Sequence, residues 1–198
     1  MSRRFSLALH ETGHVIVATA FGLLLDKIEM DYERDGGCVW YEDGYEKKTS
    51  VEQRTVLALA GLAAERFFHK DCGVVYRTEK VTDSHYRLHG PKELEGLSNE
   101  DYTDDLSTVH DFMPIEVRIK WGKDEEWCNR HLKAAWDLLH ENEEAFLEMY
   151  KALHPRSKHQ FGEQLNRHRD AWTFQPGALK HILRKVKRAR KRRTAEAA

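Results

Sequence analysis

The pattern of apolar positions predicts a buried helix near the start of the chain, followed by a small hairpin. Alanine, leucine, valine and phenylalanine recur at helical spacing from about 5 to 25, which is typical of a largely buried helix. The segments 27–30 and 38–41 then flank the sequence Asp-Gly-Gly at 35–37, as expected for two short strands joined by a turn.

A second helix is indicated after Ser50. Ser50 and Gln53 have the spacing of a capping box, in which each side chain accepts a hydrogen bond from the other residue's backbone N–H. An alanine-rich apolar run then continues to Phe68. From 70 to 99 the periodicity is lost among polar residues and glycines, so this stretch is predicted to be a long loop or a partly ordered insertion.

Further helices are predicted in the second half of the chain. One begins near Thr103, with acidic residues in its first turn, and ends or bends at Pro114. A long amphipathic helix covers 124–153, with a break around Asn142. The C-terminal third is therefore predicted to be helical scaffolding, and we expect a mainly α fold of the α+β class.

The composition supports a helix-rich globular protein. The 198 residues are 40% hydrophobic and 33% charged with only 4 prolines, which excludes a fibrous or a disordered chain. The three cysteines form no CxxC pair, which argues against a disulfide framework or a thiolate zinc finger. The longest apolar stretch, 15–25, is about half the length that spans a bilayer and lacks signal-peptide flanks, so we expect a cytoplasmic protein.

Charge is distributed unevenly between the body and the C-terminal tail. Residues 180–198 contain nine Lys or Arg and one Glu, a balance of +8, which leaves −9 on 1–179 for a net charge of −1. Apolar residues recur among these cations at the spacing of an amphipathic helix, at Leu179, Ile182, Leu183 and Val186. The cations of this tail, which lie within 180–193, are suited to bind nucleic-acid phosphates, an anionic membrane surface or the acidic body of the same chain. A solvated helix with a frayed end is an equal alternative.

The first predicted helix carries the motif His10-Glu11-Thr12-Gly13-His14, an H-E-x-x-H sequence. Its histidines are about one turn apart on one face, so both rings can reach a single zinc ion at roughly 2.0–2.1 Å. Zinc lowers the pKa of a bound water and polarises a carbonyl, while Glu11 takes the proton as general base and passes it to the leaving amine. The alternative is a pair of histidines on an ordinary helix, but burying these residues without a metal or hydrogen-bond partners would be costly.

A catalytic zinc site needs a third protein ligand. Asp105 is the first candidate, because it belongs to an acidic cluster with Asp101 and Asp104 near a predicted helix start. Stabilisation of the helix N-terminus is the alternative role for these carboxylates. Glu65, on the second predicted helix, is the other candidate. It would act as the third ligand, as a hydrogen-bond partner behind a ligand, or as the partner of Arg66.

These motifs resemble the peptidase domain of the FtsH-type ATP-dependent zinc metalloproteases. In that family a helix with the sequence HEAGH, similar to 9–18 here, precedes a hairpin of the form KVTI…ALG, which 27–39 matches loosely. A helix of the form LAGRAAE follows, and 59–65, with the sequence LAGLAAE, matches it closely. The family's third zinc ligand is the aspartate of an NDL segment. Because 104–106 reads Asp-Asp-Leu, the resemblance assigns that role to Asp105.

The resemblance, which extends over about 5–155, implies a zincin-like fold but departs from the family in two ways. No G-x-x-x-x-G-K-[ST] phosphate loop occurs, so any ATP dependence would require a separate ATPase or unfoldase partner. The stretch between Glu65 and Asp105 is also longer than in the family, which affects the alignment of the third ligand.

The strand that follows the predicted turn is the candidate substrate-binding element. If the resemblance holds, it would pair with an extended peptide by edge addition and hold the scissile carbonyl over the zinc, through Gly37, Cys38, Val39 and Trp40. A hairpin that only covers the core is an equal alternative.

The sequence thus predicts a helical zincin-like peptidase core over 1–122, with a loop insertion at 70–100. A helical extension over 123–175 packs on this core, and a basic amphipathic tail covers 176–198. The predicted function is a metalloendopeptidase with one zinc ion and Glu11 as general base, acting on polypeptide without its own ATPase. The alternatives are a zincin-fold binding or regulatory protein that engages nucleic acid or membrane through its tail, and a metal-free helical adaptor. The oligomeric state stays open.

Overall fold

The computed structural model describes residues 3–68, 77–82, 85–89, 109, 112, 114, 123–165 and 168–189. Its first half contains α1 (Arg3–Phe21), β1 (Leu25–Asp31), β2 (Gly36–Tyr41), α2 (Tyr45–Lys48), α3 (Val51–Ala58), α4 (Ala60–Phe68), β3 (Arg77–Thr82) and β4 (His85–His89). The second half contains α5 (Lys123–Glu141), α6 (Glu143–Leu153), α7 (Lys158–Phe161), β5 (Gly162–Gln164), β6 (Ala171–Phe174) and α8 (Lys180–Leu183). This mixture of helices and antiparallel strands confirms the α+β class.

Helix α1 is the central element of the core. Its residues from Leu7 to Ala20 are almost all buried, and it contacts α3, α4, α5 and α6 as well as β1 and β2. The helix ends at Phe21, earlier than the predicted end near 25. Gly22, at a φ of +85°, donates its N–H to Thr19 O, and Leu23 donates to Ala18 O, which together form a Schellman motif. The apolar run continues past this stop because β1 begins at Leu25.

The predicted hairpin is confirmed as β1 and β2, which pair antiparallel with Ile28 opposite Val39. Its turn differs in position from the prediction, because Gly36 and Gly37 already belong to β2. The chain reverses just before them. There the Asp31 carboxylate accepts hydrogen bonds from the backbone N–H groups of Glu33 and Arg34, each at 3.1 Å.

The sheet includes two strands from the C-terminal third. Its order is β2-β1-β6-β5, and Ile28 of β1 lies opposite Phe174 of β6. The predicted helices over 124–153 are confirmed as α5 and α6, with the break at Asn142. The sequence pattern does not predict β5 and β6, because strands of three and four residues are too short to show a period.

The segment between the hairpin and α5 confirms one prediction and corrects two. The capping box of Ser50 and Gln53 is present at the start of α3. The single helix predicted up to Phe68 is divided at Leu59 into α3 and α4. The loop predicted over 70–99 contains the antiparallel hairpin of β3 and β4. The helix start predicted near Thr103 lies outside the described residues.

The described part of the basic tail packs on the body of the chain. Leu179, Ile182 and Val186 are buried, and Lys185 forms salt bridges with Glu148 at 2.6 Å and Glu144 at 3.2 Å on α6. The helix here is only one turn long, shorter than predicted. Up to residue 189, therefore, the tail is not a solvated, frayed helix.

None of the helices among the described residues combines the length and the apolar character needed to cross a lipid bilayer.

Candidate metal centre

The H-E-x-x-H residues lie where α1 packs against α4. Glu11 is 4% exposed and His14 8% exposed, and His10 lies partly buried beside them. Small residues make this close packing possible. A methyl group on Gly61 of α4 would lie 2.3 Å from His10 Nε2, and one on Gly13 would lie 2.2 Å from the Ala60 carbonyl oxygen. The His10 ring therefore lies directly on the backbone of α4 at Gly61.

Each histidine is oriented by a hydrogen bond at Nδ1. The Nδ1 of His14 is 2.9 Å from the Leu57 carbonyl oxygen, which can only accept, so the ring donates and carries its proton there. The Nδ1 of His10 is 2.9 Å from Glu65 Oε1, and an ionised carboxylate can likewise only accept a hydrogen bond from the ring N–H. In the neutral form of each ring, a proton on Nδ1 leaves Nε2 as the basic nitrogen.

The two Nε2 atoms converge. They lie 3.1 Å apart, with the ring centroids separated by 4.9 Å. Two basic nitrogens at this distance repel each other unless a proton or a metal ion lies between them. Two nitrogen ligands at 2.0–2.1 Å from a tetrahedral zinc ion are about 3.3 Å apart, which is close to the observed separation. The pair therefore fits a shared zinc ion, and a doubly protonated ring that donates to its neighbour is the metal-free alternative.

The side chain of Glu11 extends from α1 toward β2. Its carboxylate lies against Gly37 of β2, with Oε1 2.6 Å from the position that a β carbon on Gly37 would occupy. Nearby, Tyr32 donates its hydroxyl hydrogen to the Leu153 carbonyl oxygen. Burial, reinforced by the negative charges of Asp170 and Glu11, holds the pKa of Tyr32 far above its usual range. The Glu11 carboxylate is thus within electrostatic reach of a buried hydroxyl that stays protonated.

Glu65 is placed behind a candidate ligand. It contacts His10 at Nδ1, the ring nitrogen on the side away from the Nε2 pair, and so acts as the hydrogen-bond partner that orients His10. Of the roles that the sequence left open for Glu65, this geometry favours that of the hydrogen-bond partner behind a ligand. The other candidate third ligand, Asp105, lies outside the described residues. Within the described ranges, no group of three His, Cys, Asp or Glu residues is assembled around one point.

The candidate substrate-binding residues belong to β2, an edge strand among the described strands of the sheet. Val39 faces the core, whereas Cys38 and Trp40 are exposed on the opposite face of the strand. The indole N–H of Trp40 donates to Glu29 at 3.0 Å, and Lys27 lies over the indole ring. Gly37, the first of the four residues, lies against the Glu11 side chain.

Three contacts of this centre were not singled out from the sequence. They are the Leu57 carbonyl that orients His14, the surface of Gly61 below His10, and the contact of Gly37 with Glu11. Gly61 lies within the LAGLAAE segment, which was the only available signal. A backbone carbonyl carries no sequence signal at all, because every residue has one.

Comparison with models of known protein families gives no match to this chain, and comparison with curated proteins gives none either. The resemblance to the FtsH-type peptidase domain therefore depends on the short motifs at 9–18, 27–39, 59–65 and 104–106.

Proposed function

We propose that this chain is a zinc-dependent metallopeptidase. The observation that supports it best is the convergence of His10 Nε2 and His14 Nε2 at 3.1 Å while each Nδ1 faces a hydrogen-bond acceptor. Two imidazoles held in this tautomer are the usual nitrogen ligands of zinc. A buried carboxylate, Glu11, is next to one of them in the sequence and lies at the same packing interface.

In this proposal His10 and His14 hold the zinc ion, and Asp105 remains the proposed third ligand. Bound zinc would supply Lewis acidity, both to a water molecule and to the scissile carbonyl. Glu11 accepts the proton of the attacking water and transfers it to the leaving amine. Glu65 and the Leu57 carbonyl keep the Nδ1 protons in place, so that both Nε2 atoms stay basic.

The proposed substrate is an extended polypeptide that pairs with residues 37–40 of β2. An edge strand offers backbone N–H and C=O groups to a further strand. These 198 residues contain no phosphate loop, so the unfolding of folded substrates would depend on an ATPase or unfoldase outside them.

The alternative function, polyanion or membrane binding through the tail, has less support. Lys185 is already paired with two glutamates of α6, and Arg188 donates to the Thr19 carbonyl at 2.6 Å. These contacts engage part of the tail's positive charge within the chain. We therefore propose the peptidase, and not tail-mediated binding, as the function.

Two measurements on the same purified proteins test the proposal. Elemental analysis should find one zinc ion per chain in the wild type and in Glu11→Gln, and loss of zinc in His14→Ala and Asp105→Ala. Cleavage of fluorescently labelled, unfolded casein should be lost by about 10²-fold or more in Glu11→Gln, because the general base is removed. Glu42→Gln is the matched control, since Glu42 is exposed.

Two results would contradict the proposal. Wild-type protein that binds no zinc would leave the histidine pair as a metal-free hydrogen bond. Undiminished cleavage by Glu11→Gln would exclude Glu11 as the general base. A separate outcome, retention of zinc in Asp105→Ala, would show only that the third ligand is another residue.

A further inference from the structure

Gly37 is placed where no other residue fits without moving Glu11. A β carbon on Gly37 would lie 2.6 Å from Glu11 Oε1 and 2.8 Å from both Cδ and Cγ. Ordinary van der Waals contact begins at 3.4 Å. The carboxylate of Glu11 therefore occupies the space that a side chain on Gly37 would need.

The backbone of Gly37 does not itself call for glycine. Gly37 lies within β2, paired with Met30 of β1. Among the described residues, the glycines with positive φ are Gly22 and Gly44. A strand conformation at Gly37 suits any residue, and β-branched residues usually do better there. Space for Glu11 is thus the physical reason for a glycine at this position.

A substitution at Gly37 would act on the carboxylate rather than on the fold. The three atoms nearest to that β carbon, Oε1, Cδ and Cγ of Glu11, belong to one flexible side chain and not to the backbone. They can rotate away, whereas the paired strand is held by its ladder with β1. Because the Glu11 side chain is buried, few of its other rotamers would leave the carboxylate in its present position.

We propose that Gly37 is a positioning residue for Glu11: by having no side chain, it lets the carboxylate lie against β2, at the level where the substrate strand would pair. This inference rests on the proposed function. A general base must lie within hydrogen-bond reach of the proton it removes, and a misplacement of about 1 Å can reduce a rate by roughly 10²-fold. Gly37 thereby sets the rate through Glu11 without touching the substrate's reacting atoms.

The test compares Gly37→Ala with Gly36→Ala in the full-length protein. The two glycines are adjacent in β2, but a β carbon on Gly36 meets nothing within 4 Å, and Gly36 precedes the proposed substrate segment 37–40. Both variants add one methyl group and remove the same backbone freedom. Crystal structures should show Glu11 Cδ at least 3.4 Å from the new methyl group of Gly37→Ala, and an unmoved Glu11 in Gly36→Ala.

The kinetic arm uses the same two variants with labelled, unfolded casein as substrate. We expect kcat to fall about 10²-fold in Gly37→Ala with KM within about twofold of wild type. The bound zinc should stay at the wild-type level, because Glu11 is not a proposed ligand. Gly36→Ala should resemble wild type in all three measurements.

A double-mutant cycle with Glu11→Asp separates positioning from a general structural effect. The aspartate carboxylate is one methylene shorter and withdraws from the new methyl group. The cost of Glu11→Asp in kcat should therefore be at least about fivefold smaller in the Gly37→Ala background than in wild type. If Gly37 had only a structural role, the two effects on kcat would simply multiply.

The inference and the proposed function can fail separately. A Gly37→Ala crystal structure with Glu11 in its wild-type position would overturn the inference, whether or not the protein cleaves casein. Wild-type kcat in Gly37→Ala, or multiplicative effects in the cycle, would also overturn it. Absence of zinc-dependent cleavage by the wild type would instead remove the proposed function, and the crystallographic comparison would then decide the inference alone.

Discussion

Replacing Gly61 by alanine should disrupt metal binding while leaving the fold in place. A β carbon there would lie 2.3 Å from His10 Nε2, 2.4 Å from Cε1 and 2.5 Å from Cδ2, so the whole ring must move by about 1 Å to reach ordinary contact. Zinc–nitrogen distances tolerate only about 0.2 Å. His10 would then no longer serve as a ligand in the same geometry.

The expected loss of zinc affinity is at least about 10²-fold. Removing a hydrogen-bond partner behind a ligand already costs about 10- to 100-fold, and a displaced ligand costs more. Stability reports this loss without any substrate. At a zinc concentration 100 times the wild-type Kd, binding stabilises the wild type by about 2.7 kcal/mol, which raises Tm by roughly 5–11 °C. With a Kd 100-fold weaker, the same zinc concentration stabilises Gly61→Ala by only about 0.4 kcal/mol.

The assay is thermal unfolding with and without zinc, alongside competition with a fluorescent chelator. Gly13→Ala is the contrasting variant. Its β carbon would meet the Ala60 carbonyl oxygen at 2.2 Å, and this backbone group cannot rotate away. Gly13→Ala should therefore lower the Tm of the metal-free protein, whereas Gly61→Ala should change mainly the shift caused by zinc. A folded Gly61→Ala protein with wild-type zinc affinity would show that a methyl group at this position does not displace the His10 ring.

Three further predictions concern Glu65, the tail and a buried histidine. Glu65→Gln should weaken zinc binding about 10- to 100-fold by chelator competition, because a neutral amide holds the ring proton of His10 less well than a carboxylate; unchanged affinity would contradict this. Arg188→Ala should lower Tm by about 2–4 °C, because the hydrogen bond from Arg188 to the Thr19 carbonyl oxygen at the end of α1 is lost. Arg184→Ala is the control, since Arg184 is exposed, and equal Tm shifts in the two variants would contradict the prediction. His131 has a pKa below its usual value because it is buried, so the unfolded chain binds more protons and the free energy of unfolding should fall as the pH drops below about 6.5. In His131→Asn, denaturant titrations from pH 7.5 to 5 should show a shallower fall. An equal slope would exclude His131 as the source of this pH dependence.

Those elements that the sequence predicted best are long and strongly periodic. Helix α1 and the helices over 124–153 have enough turns for their apolar faces to be recognised, and the capping box identifies the start of α3 by chemistry alone. The hairpin was predicted in the right place but with its turn displaced, because Gly36 and Gly37 look like turn residues. In the structure Gly37 is a strand residue whose missing side chain leaves room for Glu11.

What the sequence could not predict depends on contacts between distant segments. Strand β6 is only four residues long, and its place beside β1 follows from packing across some 140 residues of chain. The orientation of His14 by the Leu57 carbonyl is similar, since the motif shows that two rings can meet but not what holds them. Sequence spacing therefore identified the candidate ligands, while the hydrogen bonds that orient their rings depend on tertiary structure.

The tail connects the charge asymmetry of the sequence to the helix that carries the candidate site. Arg188 donates to Thr19 O and the Ala189 N–H donates to Ala20 O at 2.9 Å, so both contacts lie in the last turn of α1, where the helix dipole is negative. The Asn142 side chain accepts the N–H of Lys187 at 2.6 Å, which joins the tail to the break between α5 and α6. Removal of the tail would expose these carbonyls at one end of α1 while His10 and Glu11 lie nearer the other. Because a closely packed interior transmits strain, we expect these contacts of the tail to restrain the helix that carries the candidate metal centre.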